Sequence, residues 1–341
     1  MRAARAQAAP GDRTGGLQGQ IKLRAGVRCV TRAGGQVLFV PPEGSPVRVS
    51  PLAAALKDAL AEGASFDDLV RRLEAGRVPS TGVRESLPAF LDTLSRAALL
   101  DDGRSALRER ALRLKVPVDA LASRLARILG AVPRGIGRLA LLAGVGSAAI
   151  SLGILMATEP LRLRELVDRF SAGGLALFLL VVVPLHELGH AVAARLAGVP
   201  VREAGLFLSR FGVPRPYIAT PDAACLPSRL DRFSIAAAGP LLDLLVCGAA
   251  AALAGAGTPL APAARFLCLL SLLILIVNTT PLGEGDGSHM LEALLDDELA
   301  RHSALSRRPS RLSRARDLAI YRAAAAGHFV LSLGLLGSLL R

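Results

Sequence analysis

Residues 181–190 read Val-Val-Val-Pro-Leu-His186-Glu187-Leu188-Gly189-His190, two imidazoles and a carboxylate set in an apolar run. On a helix, residues four apart share a face, so His186 and His190 present both rings to one point while Glu187 stands one step round. In a soluble helix such a cluster is as often a chance pattern as a metal site. Here the surroundings shift the balance, because ionisable groups in the middle of a bilayer-spanning segment are costly unless they serve a site. The stretch predicts a membrane-crossing helix that holds a metal ion.

The rest of the chain has the matching composition. Its 341 residues are 52% hydrophobic, and 41 Lys plus Arg against 28 Asp plus Glu give a formal charge of +13. A mean hydropathy of +0.44 beside that charge requires apolar and basic segments to alternate, and excludes a wholly disordered chain. Leu139–Thr158 is 20 residues without a charge, long enough for a hydrocarbon core of about 30 Å at about 1.5 Å per residue. Comparable stretches predict five spans near 139–158, 173–198, 234–256, 265–284 and 320–340, with Asp243 inside the third.

Basic residues set the orientation. Arg124, Arg127, Arg134 and Arg138 precede the first span; Arg202, Arg210, Arg215, Arg229 and Arg232 lie between the second and third; Arg301, Arg307, Arg308, Arg311, Arg314 and Arg316 precede the fifth. The loop 257–264 has no Arg or Lys, and 159–172 has three Arg against three acids. The positive-inside rule then places the N-terminal part, 199–233 and 285–319 in the cytoplasm. Membrane topology accounts for the net charge, which argues against a nucleic-acid partner. Lys occurs only at Lys22, Lys57 and Lys115, a bias toward Arg that fits a GC-rich bacterial genome and so a bacterial cell membrane. Four Cys without a CxxC spacing read as small hydrophobes, and no G-x-x-x-x-G-K-[ST] loop is present.

Ahead of the membrane domain (139–341) three segments are expected. Residues 1–20 lack the apolar run of a signal peptide and read as a disordered start. Residues 21–105 combine short β-type runs, Gly-Gly and Pro-Pro-Glu-Gly turns and helices near 51–62, 66–76 and 83–99, the last with Val83, Leu87, Phe90, Leu91, Leu94 and Leu99 on one face. This is a small α+β, winged-helix-like domain. Residues 106–138 form a basic amphipathic linker, or equally a surface helix whose Arg side chains meet anionic headgroups.

Two imidazoles need a third ligand, with a further position left open for catalysis. The end of the fourth span reads Asn278-Thr-Thr-Pro281-Leu-Gly-Glu284-Gly285-Asp286-Gly287. Glycines on both sides of Asp286 let the backbone leave the helix and bring a carboxylate inward. The second and fourth spans both run toward the cytoplasm, so His190 and Asp286 reach similar depths. Two alternatives stay open: Asp286 as a cap in an Asp-Gly turn, and Glu284 as the ligand. His289 is close enough in sequence to touch the site, whereas His302 reads as a surface residue and His328 as a span residue.

HELGH in one span, N-x-x-P-x-x-x-x-D-G at a later one and Ala-Ala-Gly239-Pro240-Leu-Leu between them resemble the site-2 protease family of intramembrane zinc metallopeptidases, over roughly residues 175–290. The resemblance implies a zinc ion (Zn2+) held by His186, His190 and Asp286, Glu187 as general base, and Asn278 in a supporting role near the reacting carbonyl. Two positions depart from the family pattern: Asp243 stands where Asn is frequent after Gly-Pro, and Gly285 where Leu is frequent before Asp-Gly.

The 199–233 region, with Pro-Tyr217-Ile-Ala-Thr-Pro-Asp222-Ala, is similar to membrane metallopeptidases found with peptide natural-product clusters. Residues 21–105 resemble PqqD-like domains, which bind the leader of a ribosomally made peptide as an added strand; an ordinary winged-helix adaptor is the plainer reading. Together these resemblances imply a zinc metalloendopeptidase that matures a precursor peptide. Its expected partners are the leader peptide and membrane lipids, with a peptide-modifying enzyme or an exporter as further candidates. A regulatory protease that releases a membrane-bound signalling factor shares the metal site, and a non-catalytic adaptor or immunity protein shares the fold.

Overall fold

A computed structural model of the chain describes residues 20–31, 37–41, 47–49, 55–75, 80–97, 99–101, 113–208, 214–306 and 313–340. The disordered start expected at 1–20 lies outside these residues except for Gln20, as does the 106–112 part of the expected linker. Backbone contacts divide the chain into two units, Met1–Arg110 and Ala111–Arg341.

In the first unit, β1 (Arg28–Thr31), β2 (Val37–Val40) and β3 (Val47–Val49) form an antiparallel sheet in that order, with Cys29 and Val47 both opposite Phe39. The run Val-Leu-Phe-Val is buried throughout, as a central strand covered on both faces requires. Helices α1 (Lys57–Glu62), α2 (Phe66–Ala75) and α3 (Ser80–Arg96) follow. Residues 51–54 of the first expected helix fall outside the described residues. A reciprocal cap starts α2: Asp68 N–H donates to Ser65 Oγ at 3.2 Å and Ser65 N–H to Asp68 Oδ2 at 3.3 Å. The apolar face foreseen on α3 is buried at Val83, Leu87, Leu91 and Leu94, and it shares a core with Phe39, Leu60 and Leu69.

The second unit is helical: α4 (Asp119–Ala131), α5 (Arg134–Thr158), α6 (Glu165–Asp168), α7 (Ala172–Leu196), α8 (Arg229–Gly255), α9 (Ala261–Asn278), α10 (Asp286–Leu295), α11 (Ala300–Leu305) and α12 (Ala315–Leu340). Among the described residues, α5, α7, α8, α9 and α12 are long and apolar enough to cross a membrane, which makes this a multi-pass α-helical membrane protein. The five spans match the expected number, with shifted ends. The fourth stops at Asn278 rather than near 284, because a following Pro281 with Gly283 and Gly285 cannot continue a helix. The third begins earlier, at Arg229, where Ser228 Oγ caps Asp231 N–H at 3.2 Å.

Helix α8 is the hub, packing on α5, α7, α9 and α10. Small residues let it approach its neighbours closely, as at Gly248 against Ala148. The outer faces of α5 and α12 expose Leu139, Leu142, Ile150, Val330 and Leu331, as lipid contact requires. Part of the stretch expected as a linker attaches firmly to this unit. Strand β4 (Arg113–Lys115) pairs with β5 (Glu203–Leu208), which pairs with β6 (Pro214–Ala219), all antiparallel. Helix α4 buries Ala122 and Ala126 against Ala191 and Val192 of α7. Asp119 accepts from Arg195 Nε at 2.7 Å and from Val201 N–H at 3.0 Å.

Candidate metal centre

Within α7, a π-helical segment, Phe178–Val182, leads into the α-helical stretch Val183–Leu196, and Pro184, which has no N–H to give to the turn before it, stands at the junction. His186 and His190 lie one turn apart with their Nε2 atoms 3.2 Å from each other. Asp286 Oδ2 is 3.2 Å from His186 Nε2, and Oδ1 is 3.4 Å from His190 Nε2. The three residues brought together from α7 and the start of α10 offer ligand atoms that all lie within 4.8 Å of one another.

The far sides of both rings are anchored. His186 Nδ1 is 2.8 Å from Asp243 Oδ2, and His190 Nδ1 is 2.7 Å from the carbonyl oxygen of Ile235. A carbonyl oxygen accepts only, as does a carboxylate, so each Nδ1 carries a proton, and in the neutral ring that a metal requires Nε2 keeps a bare lone pair. With both rings neutral, two lone pairs and two carboxylate oxygens converge on one spot. Such a set repels itself unless a cation lies between. Two nitrogens and a carboxylate suit zinc, and the Nδ1–H bonds are the outer contacts that orient such ligands.

Close helix approach makes room for nothing else. A Cβ added at Gly239 would sit 2.4 Å from His190 Nε2 and 2.6 Å from His186 Nε2, so the Gly-Pro segment of α8 is the floor of the site. Across the same contact, a Cβ on Gly189 would meet Leu242 Cδ1 at 2.6 Å and the Ala238 oxygen at 3.1 Å.

Asp286 is delivered by a fixed turn. Gly285 N–H donates to Ser288 Oγ at 3.3 Å, and that hydroxyl donates to the Gly285 oxygen at 2.8 Å. At the other end of α10, Asp296 pairs with Arg232 of α8, which also donates to the Leu226 oxygen at 2.6 Å. Glu284 does not compete for the ligand position. Its side chain is 81% exposed and accepts from Arg301 at 2.7 Å.

The remaining sequence candidates separate. Glu187 follows His186 on α7, half-buried and within electrostatic reach of both imidazoles. Asn278 donates from Nδ2 to Asp243 Oδ2 at 3.1 Å. His289 is exposed and pairs with Glu292, His302 is exposed, and His328 lies on α12 beside Thr279. Asp243, which the sequence shows as a carboxylate inside the third span and as a departure from the family pattern, contacts both His186 and Asn278.

No curated protein and no solved structure matches the chain. Residues 174–261 match the model of Peptidase family M50, a stretch that holds His186, Glu187, His190, Gly239 and Asp243 and ends before Asn278 and Asp286. Those residues form a domain of Peptidase family M50, the site-2 protease family of intramembrane metallopeptidases, and the His186, His190 and Asp286 cluster is consistent with the zinc site of its members.

Proposed function

We propose that the chain hydrolyses a peptide bond in a ribosomally made precursor peptide, removing its leader or releasing product beside the membrane. The hydrolase part is carried by the convergence of His186, His190 and Asp286 on one spot, with Glu187 next to them. Zinc, when bound, acidifies water and polarises the scissile carbonyl. His186 and His190 hold it through Nε2 and Asp286 through its carboxylate. Glu187 accepts the proton that the attacking water gives up and passes it to the leaving amine. Asn278 rests one N–H on Asp243, which leaves the second N–H of its amide to meet the reacting carbonyl. The substrate enters as an extended segment, because a helical one hides its amides.

The substrate class rests on the resemblance of residues 21–105 to PqqD-like domains. The outer strand β1 exposes Arg28, Cys29 and Thr31, and a leader added as a further strand gains main-chain hydrogen bonds there. The Arg distribution supports a cytoplasmic position for this domain and for the site's open side, where a modifying enzyme or an exporter would meet the same peptide.

The test uses purified full-length protein and a candidate precursor peptide encoded beside it. Glu187→Gln is expected to keep stoichiometric zinc by elemental analysis and to lose cleavage; retained cleavage removes Glu187 from the base role. Labelled leader should bind the full chain in an anisotropy titration. Binding of a transmembrane signalling partner in its place favours the regulatory protease, and absence of zinc favours the adaptor.

A further inference from the structure

We infer that Tyr321 and His328 of α12 are positioning residues for the metal ligand Asp286, holding in place the turn that delivers it. This rests on the zinc reading above. Asp286 lies eight residues beyond the last residue of α9, across Pro281, Gly283 and Gly285, so the geometry of its carboxylate depends on what surrounds that turn.

Two side chains of α12 grip it. Tyr321 is completely buried, and its hydroxyl donates to the Pro281 oxygen at 2.6 Å. His328 Nε2 lies 3.2 Å from Thr279 Oγ1. Thr279 gives its hydroxyl proton to the Leu275 oxygen at 2.7 Å, so it turns a lone pair to His328, and Nε2 carries the ring proton. Nδ1 is then the acceptor, matched by Ser332 Oγ at 3.3 Å. Seven residues are close to two helical turns, so Tyr321 and His328 share one face of α12.

The path from this face to the ligand is continuous. A Cβ on Gly287 would lie 2.0 Å from the Thr279 oxygen, so the first turn of α10 presses directly on the residue that His328 holds. Leu318 and Tyr321 also pack with Leu291 and Leu295 of α10. A histidine inside a bilayer-spanning segment thereby has a defined task away from the metal.

The experiment measures zinc affinity by chelator competition and the visible spectrum of the Co2+-substituted protein, both in purified full-length chain. Tyr321→Phe removes only a hydroxyl, and His328→Leu removes the ring donor. Each is expected to weaken zinc binding by up to about 10-fold, below the full range for a group bonded directly to a ligand, and to change the Co2+ bands as the carboxylate shifts. His328→Gln, which restores an N–H, should recover part of the loss, while Leu331→Ala on the exposed face of α12 should leave both readouts unchanged. Parent-like affinity and spectrum in Tyr321→Phe and His328→Leu, with zinc lost in Asp286→Ala, overturn this inference alone. A parent without zinc, or an Asp286→Ala variant that binds it as tightly, overturns the metal reading and this inference together.

Discussion

His186 Nδ1 lies 2.8 Å from Asp243 Oδ2, and the same oxygen is 3.1 Å from Asn278 Nδ2, so a carboxylate only 2% exposed joins α7, α8 and α9 at the metal site. The bond fixes the tautomer of His186 and aims its Nε2 lone pair. Asp243→Ala is expected to lower zinc affinity by roughly 10–100-fold. Asp243→Asn, whose Oδ1 still accepts from His186, should lose less. Chelator competition on the purified variants measures both, and equal affinity in parent and Asp243→Ala would end the orienting role.

Gly239 has no space for a methyl group. Gly239→Ala would place a carbon 2.4 Å from His190 Nε2 and 2.6 Å from His186 Nε2, so the rings must move and zinc content should fall close to zero. Gly327→Ala, with nothing within 4 Å of the new carbon, is the control. Elemental analysis distinguishes them, and a zinc-replete Gly239→Ala protein contradicts the close approach.

Asp286 and Glu284 are two residues apart and point to different partners. Asp286→Ala should lose zinc and peptide cleavage together. Glu284→Ala, deprived of an exposed ion pair worth under about 1 kcal/mol, should keep both. The reverse pattern in metal content would transfer the ligand role to Glu284.

Asp119 sets a modest acid sensitivity. Its bond from Arg195 lowers its carboxyl, burial opposes this, and the Val201 N–H lowers it further, leaving it below the ordinary value. A depressed folded value means the stabilisation is complete above the unfolded value of about 3.9 and fades as pH drops through the lower folded one. The side chain is 41% exposed, so the gain is under about 1 kcal/mol. The melting-temperature gap between parent and Asp119→Asn should be flat from about pH 7 to 5 and shrink below about pH 4. A gap that widens toward acid rules the pair out as its source.

The spans and the metal pair were legible because each is written in consecutive residues: uncharged runs give the helices, and His186 and His190 are one turn apart. Asp286 was readable through its glycines. The fourth span reads longer in the sequence than its helix because Pro281-Leu282-Gly283 adds apolar residues without helix-forming backbone. Attachment of the 113–131 stretch was not readable, since a basic amphipathic pattern fits a free linker as well as a helix whose small Ala122 and Ala126 pack on α7. The bonds of Asp243 were hidden for a different reason: 57 residues separate it from His186, and only folded helices bring them together.

The wide turn at Phe178–Val182 lets α7 take in one residue more without losing its phase. Each residue of an α-helix advances about 100° around the axis, and a π-turn inserts one more residue than a regular turn holds. Phe178 and Val182 both face inward while Leu179, Leu180 and Val181 face out, so the extra residue is taken up on the outer side and the half that carries the imidazoles stays in phase with the half where Gly174 meets Phe266. Shortening the segment by one residue would give a more regular rod of nearly the same length with both rings still on the side of Asp286, because a π-turn takes up its extra residue within a single turn of about the same sweep.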